Sequence, residues 1–247
     1  MADYVKEQLE ARRTIPAATT EGAIAPARGS RFGEAYGQLV GKGCYALADE
    51  GSYFVASNPT PGTGIAGIAA TGAFSDAESL LVLKNTYTAA EGKRIYLDRL
   101  HLIVTAAGAN GTDHRYVSKI DTGVERYTSG GSTITPVNVN HDASSTLSAT
   151  CYFGALVTTS ASSNVRLIQS GLIRSVIAVV GDKYTFDYGA DHVQPTGMVL
   201  EGTAQCHAVI PHAPIVLPPG CTYVLSLHAA SQTGATSYEF NLGFWVR

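Results

Sequence analysis

One stretch of this chain leaves little choice of local structure. In Tyr238-Glu239-Phe240-Asn241-Leu242-Gly243-Phe244-Trp245-Val246, the residues Tyr238, Phe240, Leu242, Phe244 and Val246 fall on one side. Successive side chains of a strand point to opposite faces, so this segment buries one apolar face and presents Glu239, Asn241 and Trp245 on the other. Just before it, Pro218-Pro219-Gly220 makes a sharp turn into a second strand, Cys221 to His228. Together they predict the closing strands of an all-β sandwich.

The rest of the chain supports that frame. Short strands are expected at Cys44–Ala48 and Ser52–Ala56, around an Asp49-Glu50-Gly51 turn. More follow at Leu80–Lys84, Lys93–Thr105, Arg115–Asp121, Ile134–Val139, Ala149–Thr158, and Val165–Ile173 running into Val180. Turn signals recur roughly every 10–20 residues, as in sandwiches and barrels. Helical periodicity is nearly absent after residue 35, and there are no internal repeats. Eight or more antiparallel strands with long connections fit a jelly roll, whereas an immunoglobulin-type sandwich is shorter. No composition break divides residues 36–247, which are expected to form one antiparallel jelly-roll β-sandwich domain.

Residues 1–35 read differently. Asp3 to Arg13 suits a short helix, with Asp3 as N-cap and Val5 and Leu9 at i, i+4 spacing. From Thr14 to Arg31 the composition turns to Ala, Thr, Pro and Gly, and Pro16 and Pro26 forbid a regular helix. Such a segment is either disordered or an extended arm that orders against a neighbour. Leu9, Ile15, Ile24 and Phe32, set singly along it, are the candidate anchors of an arm.

Composition narrows the function classes. The 247 residues are 45% hydrophobic, enough for a full core, and only 15% charged, against roughly 25% in an ordinary soluble domain. Gly, Ser, Thr and Asn must then form much of the surface, of a kind often covered by other protein. The net charge is −3 and no basic stripe exists: Arg12, Arg13, Arg28 and Arg31 are interspersed with Glu7, Glu10, Glu21 and Glu34. Binding to nucleic acid needs clustered cations, so no nucleic-acid partner is expected. The first residues hold no apolar run of a signal peptide, and no stretch approaches the ~18 apolar residues of a span. No membrane association is expected: the protein is made in a cytoplasm and stays there, or leaves by lysis or assembly.

The motifs that carry chemistry elsewhere are weak here. Gly62-Thr63-Gly64-Ile65-Ala66-Gly67 spells G-x-G-x-x-G, but Pro59 and Pro61 interrupt the approach and Gly67 and Gly72 oppose a following helix. Asp182, Asp187, Asp191 and His192 lie close in sequence but match no calcium-loop spacing; turn-capping carboxylates on a loop rim are the commoner case. His207 and His212 flank Pro211, which prevents a helix that would align them on a metal. Ser129 lacks the first glycine of a nucleophile elbow. Cys44, Cys151, Cys206 and Cys221 form no C-x-x-C pair and read as isolated buried thiols. No catalytic, cofactor-binding or metal residue is assigned, and no enzyme is expected. Thirteen tyrosines leave one alternative open, a glycan platform built from Trp245, Tyr184, Tyr188 or Tyr223.

The run Tyr45-Ala46-Leu47-Ala48-Asp49-Glu50-Gly51-Ser52-Tyr53-Phe54, leading into Asn58-Pro59-Thr60-Pro61-Gly62-Thr63-Gly64, resembles virion structural proteins of tailed bacteriophages. Leu217-Pro218-Pro219-Gly220 and Ser237 through the last strand add to the likeness, which covers most of residues 36–247. The resemblance implies a capsid decoration or cement protein on the head, or else a tail or fibre component. It further implies homotrimers seated on the major capsid protein, with terminal arms clamping neighbours. It transfers no functional residue, because such proteins work through interfaces. In this reading the exposed loop carrying Pro59, Pro61, Gly62 and Gly64 is a candidate subunit contact.

Overall fold

A computed structural model describes residues 43–69, 74–122, 124–144, 146–189 and 205–247. The chain divides into two units, Met1–Tyr45 and Ala46–Arg247. Nearly all described residues belong to the second, and the expected helix at Asp3–Arg13 lies outside them.

Fourteen strands are described after one short helix, α1 (Gly43–Asp49). They are β1 (Tyr53–Ser57), β2 (Ile65–Ala66), β3 (Glu78–Asn85), β4 (Ile95–Ala106), β5 (Thr112–Asp121), β6 (Tyr127–Ile134) and β7 (Val137–Asn138). The others are β8 (Ala149–Thr158), β9 (Arg166–Val176), β10 (Lys183–Tyr188), β11 (His207–His212), β12 (Val216–Leu217), β13 (Thr222–Ala230) and β14 (Ser237–Val246). They form two sheets, ordered β11-β10-β4-β14-β1-β7 (sheet I, with β12 beside β4 and β2 beside β14) and β6-β8-β3-β13-β5-β9 (sheet II).

The topology is that of a long hairpin rolled up. Its arms pair antiparallel from the outside in: β1 with β14, β3 with β13, β4 with β10, and β5 with β9. Those eight strands alternate between sheets except at the β5–β9 turn-back, which is the jelly-roll arrangement. Strands β6 to β8 are inserted at that turn-back, where β8 extends sheet II beyond β3 and β7 ends sheet I beyond β1. One pairing departs from the antiparallel expectation: β11 lies parallel to β10.

The inner faces supply the core. Leu81, Leu83, Phe153 and Leu225 of sheet II meet Leu100, Leu102, Phe240 and Phe244 of sheet I, all nearly or wholly buried. Phe153 and Phe240 stack across the gap with ring centroids 3.9 Å apart, and Tyr116 meets Phe186 edge-on at 5.2 Å. The alternation read in β14 holds, with Tyr238, Phe240, Leu242, Phe244 and Val246 all inward. In β4 it breaks: Leu100, Leu102 and Val104 face inward, but so do Ile95 and Leu97. A bulge between the Gly243↔Arg99 and Phe244↔Leu97 pairs inserts Asp98 and shifts the inward register by one.

Three local expectations are corrected. Cys44–Ala48 is part of a helix, because Tyr-Ala-Leu-Ala-Asp is a run of adequate helix formers with a glycine placed to end it. Gly51 has φ +71°, its N–H bonds Ala48 O, and Ser52 N–H bonds Leu47 O, which closes the helix as a Schellman turn. The expected strand at Ile134–Val139 is split between β6 and β7 at Thr135-Pro136. The residues around Asp187, read as a loop rim, form strand β10.

Candidate interaction surfaces

The Pro59–Gly67 loop crosses the outer side of sheet I between β1 and β2, and the chain beside it fixes its shape. Asn58 acts as the clamp: Phe240 N–H donates to its Oδ1 at 3.1 Å, and its Nδ2 donates to Thr63 O at 2.8 Å. Gly62 takes φ +79° and its N–H donates to the Glu239 carboxylate. A Cβ at Gly64 would sit 1.8 Å from Thr105 Oγ1, so close approach to β4 is what requires glycine there. Pro59, Pro61 and Gly62 stand exposed and Gly64 is half-buried. The G-x-G-x-x-G spelling therefore serves a loop that runs into a strand, since Ile65–Ala66 pairs with β14. Between loop and sheet lies a shallow pocket of about 240 Å³, lined by Pro61, His101, Glu239 and Asn241 among others. Partial burial, then Arg99, Lys183 and His207, hold the His101 imidazole below its ordinary pKa.

A second surface lies on sheet II. Part of its outer face is covered: Val82, Leu156 and Val224 form a small cluster beneath Tyr127, whose ring stacks on Tyr152 at 3.6 Å. At the β9 edge the cover stops. Leu167 is 60% exposed and Leu172 49%, although both are large aliphatics. A bulge between Ser118 and Lys119 in the β5–β9 register leaves Leu167 and Leu172 opposite Lys119 and Arg115, so both point outward. Beside β9 a cleft of about 480 Å³ opens between the sheets, walled by Ile120, Val165, Ile168, Val216 and Pro218.

Gln169 joins this edge to sheet I. Its Nε2 donates to Tyr116 Oη at 2.8 Å and Pro211 O at 2.9 Å, and its Oε1 accepts from Ala213 N–H at 3.1 Å. Gln169→Ala is expected to cost about 1–2 kcal/mol, since the buried Tyr116, the half-buried Pro211 and the exposed Ala213 lose a bond at once. Urea denaturation checks it, and an unchanged midpoint would mean that Gln169 does not hold the two edges together.

The other sequence candidates are dispersed. Asp182 lies in the turn between β9 and β10 and its carboxylate caps that turn by accepting the Val179 N–H, but it is fully buried, and it is discussed below with its partners. His207 and His212, an odd number of residues apart on β11, point to opposite faces; His207 is exposed, while His212 is buried against the Tyr188 ring. Among the described residues no three His, Cys, Asp or Glu side chains converge as metal ligands. Tyr184, Tyr188 and Tyr223 are core residues and cannot serve as ring platforms, whereas Trp245 lies half-buried on the outer face, stacked on Tyr96 at 5.5 Å. Ser129 is exposed on β6 opposite Val157. Cys151, Cys206 and Cys221 are free and buried, and burial pushes Cys151 to about 12 and Cys221 to about 11, which makes them inert thiols. Leu9, Ile15, Ile24, Phe32, Asp191 and His192, and the side chain of Cys44, lie outside the described residues.

Two buried ionic clusters had no sequence signal. Arg126, wholly buried, reaches Asp121 Oδ2 at 3.3 Å and Asp76 Oδ1 at 3.1 Å, and Lys119 joins Asp76 at 2.7 Å. Arg174 pairs with Asp182, both buried. Sequence distance hides the Asp76–Arg126 link, fifty residues apart, whereas Arg174 and Asp182 are eight residues apart and are brought together by the β9–β10 turn. No helix among the described residues is long and apolar enough to cross a membrane. Compared with known proteins, the chain matches no family model, no curated protein and no solved structure.

Proposed function

We propose that this is a non-enzymatic virion structural protein, a capsid decoration or cement protein that joins neighbouring capsid subunits. The observation that carries the reading is the β9 edge, an eleven-residue strand with outward aliphatics at a sheet margin. Soluble proteins blunt such edges, because an open apolar strand recruits other strands. A chain with only 15% charged residues has few to place on its surface, which fits burial against other protein. The exposed, internally clamped Pro59–Gly67 loop offers a preformed contact that loses little freedom on docking. In this reading the protein is a homotrimer on the capsid surface, with the major capsid protein as partner.

Quantitative mass spectrometry of purified virions tests it. A copy number close to that of the major capsid protein is expected. A few copies per particle would move the protein to the tail or a vertex, and absence from particles would end the virion reading.

One observation favours a second reading, a receptor- or glycan-binding module. Trp245 and Tyr96 stack with their planes 2° apart on the outer face of sheet I, as a sugar platform would. Binding to a glycan panel that Trp245→Ala abolishes without unfolding is the expected sign; no binding by the intact protein would remove the reading.

A further inference from the structure

Among the described residues, four strands end the two sheet orders, β11 and β7 in sheet I and β6 and β9 in sheet II, beside the two-residue side strands β2 and β12. Three are poor acceptors for another strand. β11 carries Pro211, which has no N–H to give, and β7 is two residues long. β6 holds Gly130 and Gly131 at φ +83° and +60°, left-handed conformations that interrupt its extended backbone. β9 has no proline and no left-handed residue over its eleven positions. It also has a cleft of mixed lining beside it, aliphatic at Ile120, Val165, Ile168 and Val216 and polar at Thr122, Ser163 and Asn164, with Arg166 exposed at the rim. An open edge next to a pocket is what strand addition uses: the backbone gives affinity and a side chain in the pocket gives register.

The chain supplies a suitable strand. Forty-two residues precede α1, enough to span up to ~140 Å when extended. Between Pro16 and Pro26 lie nine residues without proline, Ala-Ala-Thr-Thr-Glu-Gly-Ala-Ile-Ala. That matches a strand's length. It has one large aliphatic, Ile24, for the cleft, and one charge, Glu21, opposite in sign to Arg166. The Asp49 end of α1 is held by Asn140 next to β7, whereas Gln169 places β9 beside β11, at the opposite edge of sheet I. Within Ala46–Arg247, Asp49 thus lies at the sheet margin opposite to β9.

We infer that residues 17–25 of one copy add as a strand to the β9 edge of a second copy, with Ile24 in the cleft. The inference rests on the assembly role proposed above and names the acceptor surface for the arm.

The test uses two full-length variants in sedimentation velocity. One breaks the acceptor, Leu172→Lys with Val216→Trp, which charges the edge and fills the cleft. The other breaks the donor, Ala23→Pro with Ile24→Asp. Each alone is expected to self-associate at least tenfold more weakly than the unmodified chain, and their mixture to form a one-to-one complex, because one intact donor still meets one intact acceptor. If the acceptor variant fails to fold, a synthetic peptide of residues 14–32 is added to the unmodified chain, and is expected to dissociate the oligomer. Should the donor variant dissociate while the acceptor variant associates normally, β9 is not the acceptor and only this inference falls. Should the donor variant associate normally, the arm itself is wrong. A monomeric unmodified chain, or a peptide without effect, overturns the inference as well.

Discussion

Replacing Asp182 by alanine will destabilise the protein by about 3–5 kcal/mol, the usual cost of removing one partner from a buried ion pair. The carboxylate is buried and fully used. It pairs with Arg174, accepts Tyr184 Oη at 2.8 Å, and accepts backbone N–H bonds from Val179 at 2.8 Å and Cys206 at 2.6 Å. Burial alone would raise its pKa, but the bonds from Val179, Cys206, Tyr184 and Arg174 outweigh burial and hold it below the ordinary carboxylate value. Alanine strips these groups of a shared acceptor, and they have no room to reach water. For a body of this size the loss corresponds to a melting temperature lower by ~10 °C. Asp182→Asn keeps the shape and one oxygen acceptor, so it is expected to fall between the two. Thermal and urea unfolding of the three proteins measure this. A loss under about 1 kcal/mol for alanine would mean that the network contributes no more than an exposed pair.

The same residue shows where sequence reading stops. β14 was legible because its information is local: nine residues carry the alternation, and burial obeys it. The jelly roll followed from strand number and turn spacing, properties of one dimension. Asp182 was legible as a turn-capping carboxylate, and it does accept the Val179 N–H, but its burial was not: Arg174 on β9 and the Cys206 amide just before β11 converge on it only when the strands pack. α1 was missed although its signal was present. Gly51 sits where a helix needs a left-handed stop, and Ala-Leu-Ala before it favours a helix over a strand. The Asp49-Glu50-Gly51 turn was found and its upstream partner misread. The Pro59–Gly67 loop was visible as an exposed turn, but its anchor was not, since Asn58 and Phe240 are 182 residues apart. The exposed leucines of β9 were hidden by a bulge, because a single extra residue moves a side chain from one face to the other.

Acid will weaken this fold before its carboxylates titrate, and His114 will carry much of the effect. Its imidazole lies on the inner face of β5, fully enclosed, with Nε2 3.3 Å from Tyr238 Oη and its ring 5.6 Å from that of Tyr184. Burial pushes it down to about 4; Asp182 opposes that, while His228 and Arg174 add to it. In the unfolded chain it titrates near ~6.5. Above that value both states are neutral and the contribution is fully present. As the pH falls from there toward 4, the unfolded chain takes the proton and the folded one does not, so stability declines by about 3 kcal/mol over the window. His212, His101 and His228, also held low chiefly by burial, act with the same sign. Asp182 and Asp76 are held below the ordinary carboxylate value, so their contribution is lost at lower pH, in a later phase. Urea midpoints for the unmodified protein and His114→Gln, taken from pH 7.5 to 4.5, separate the terms. The variant is expected to be less stable at pH 7.5 and to lose visibly less on acidification. Equal losses in both proteins would move the early phase to the other three histidines and leave His114 a silent core residue.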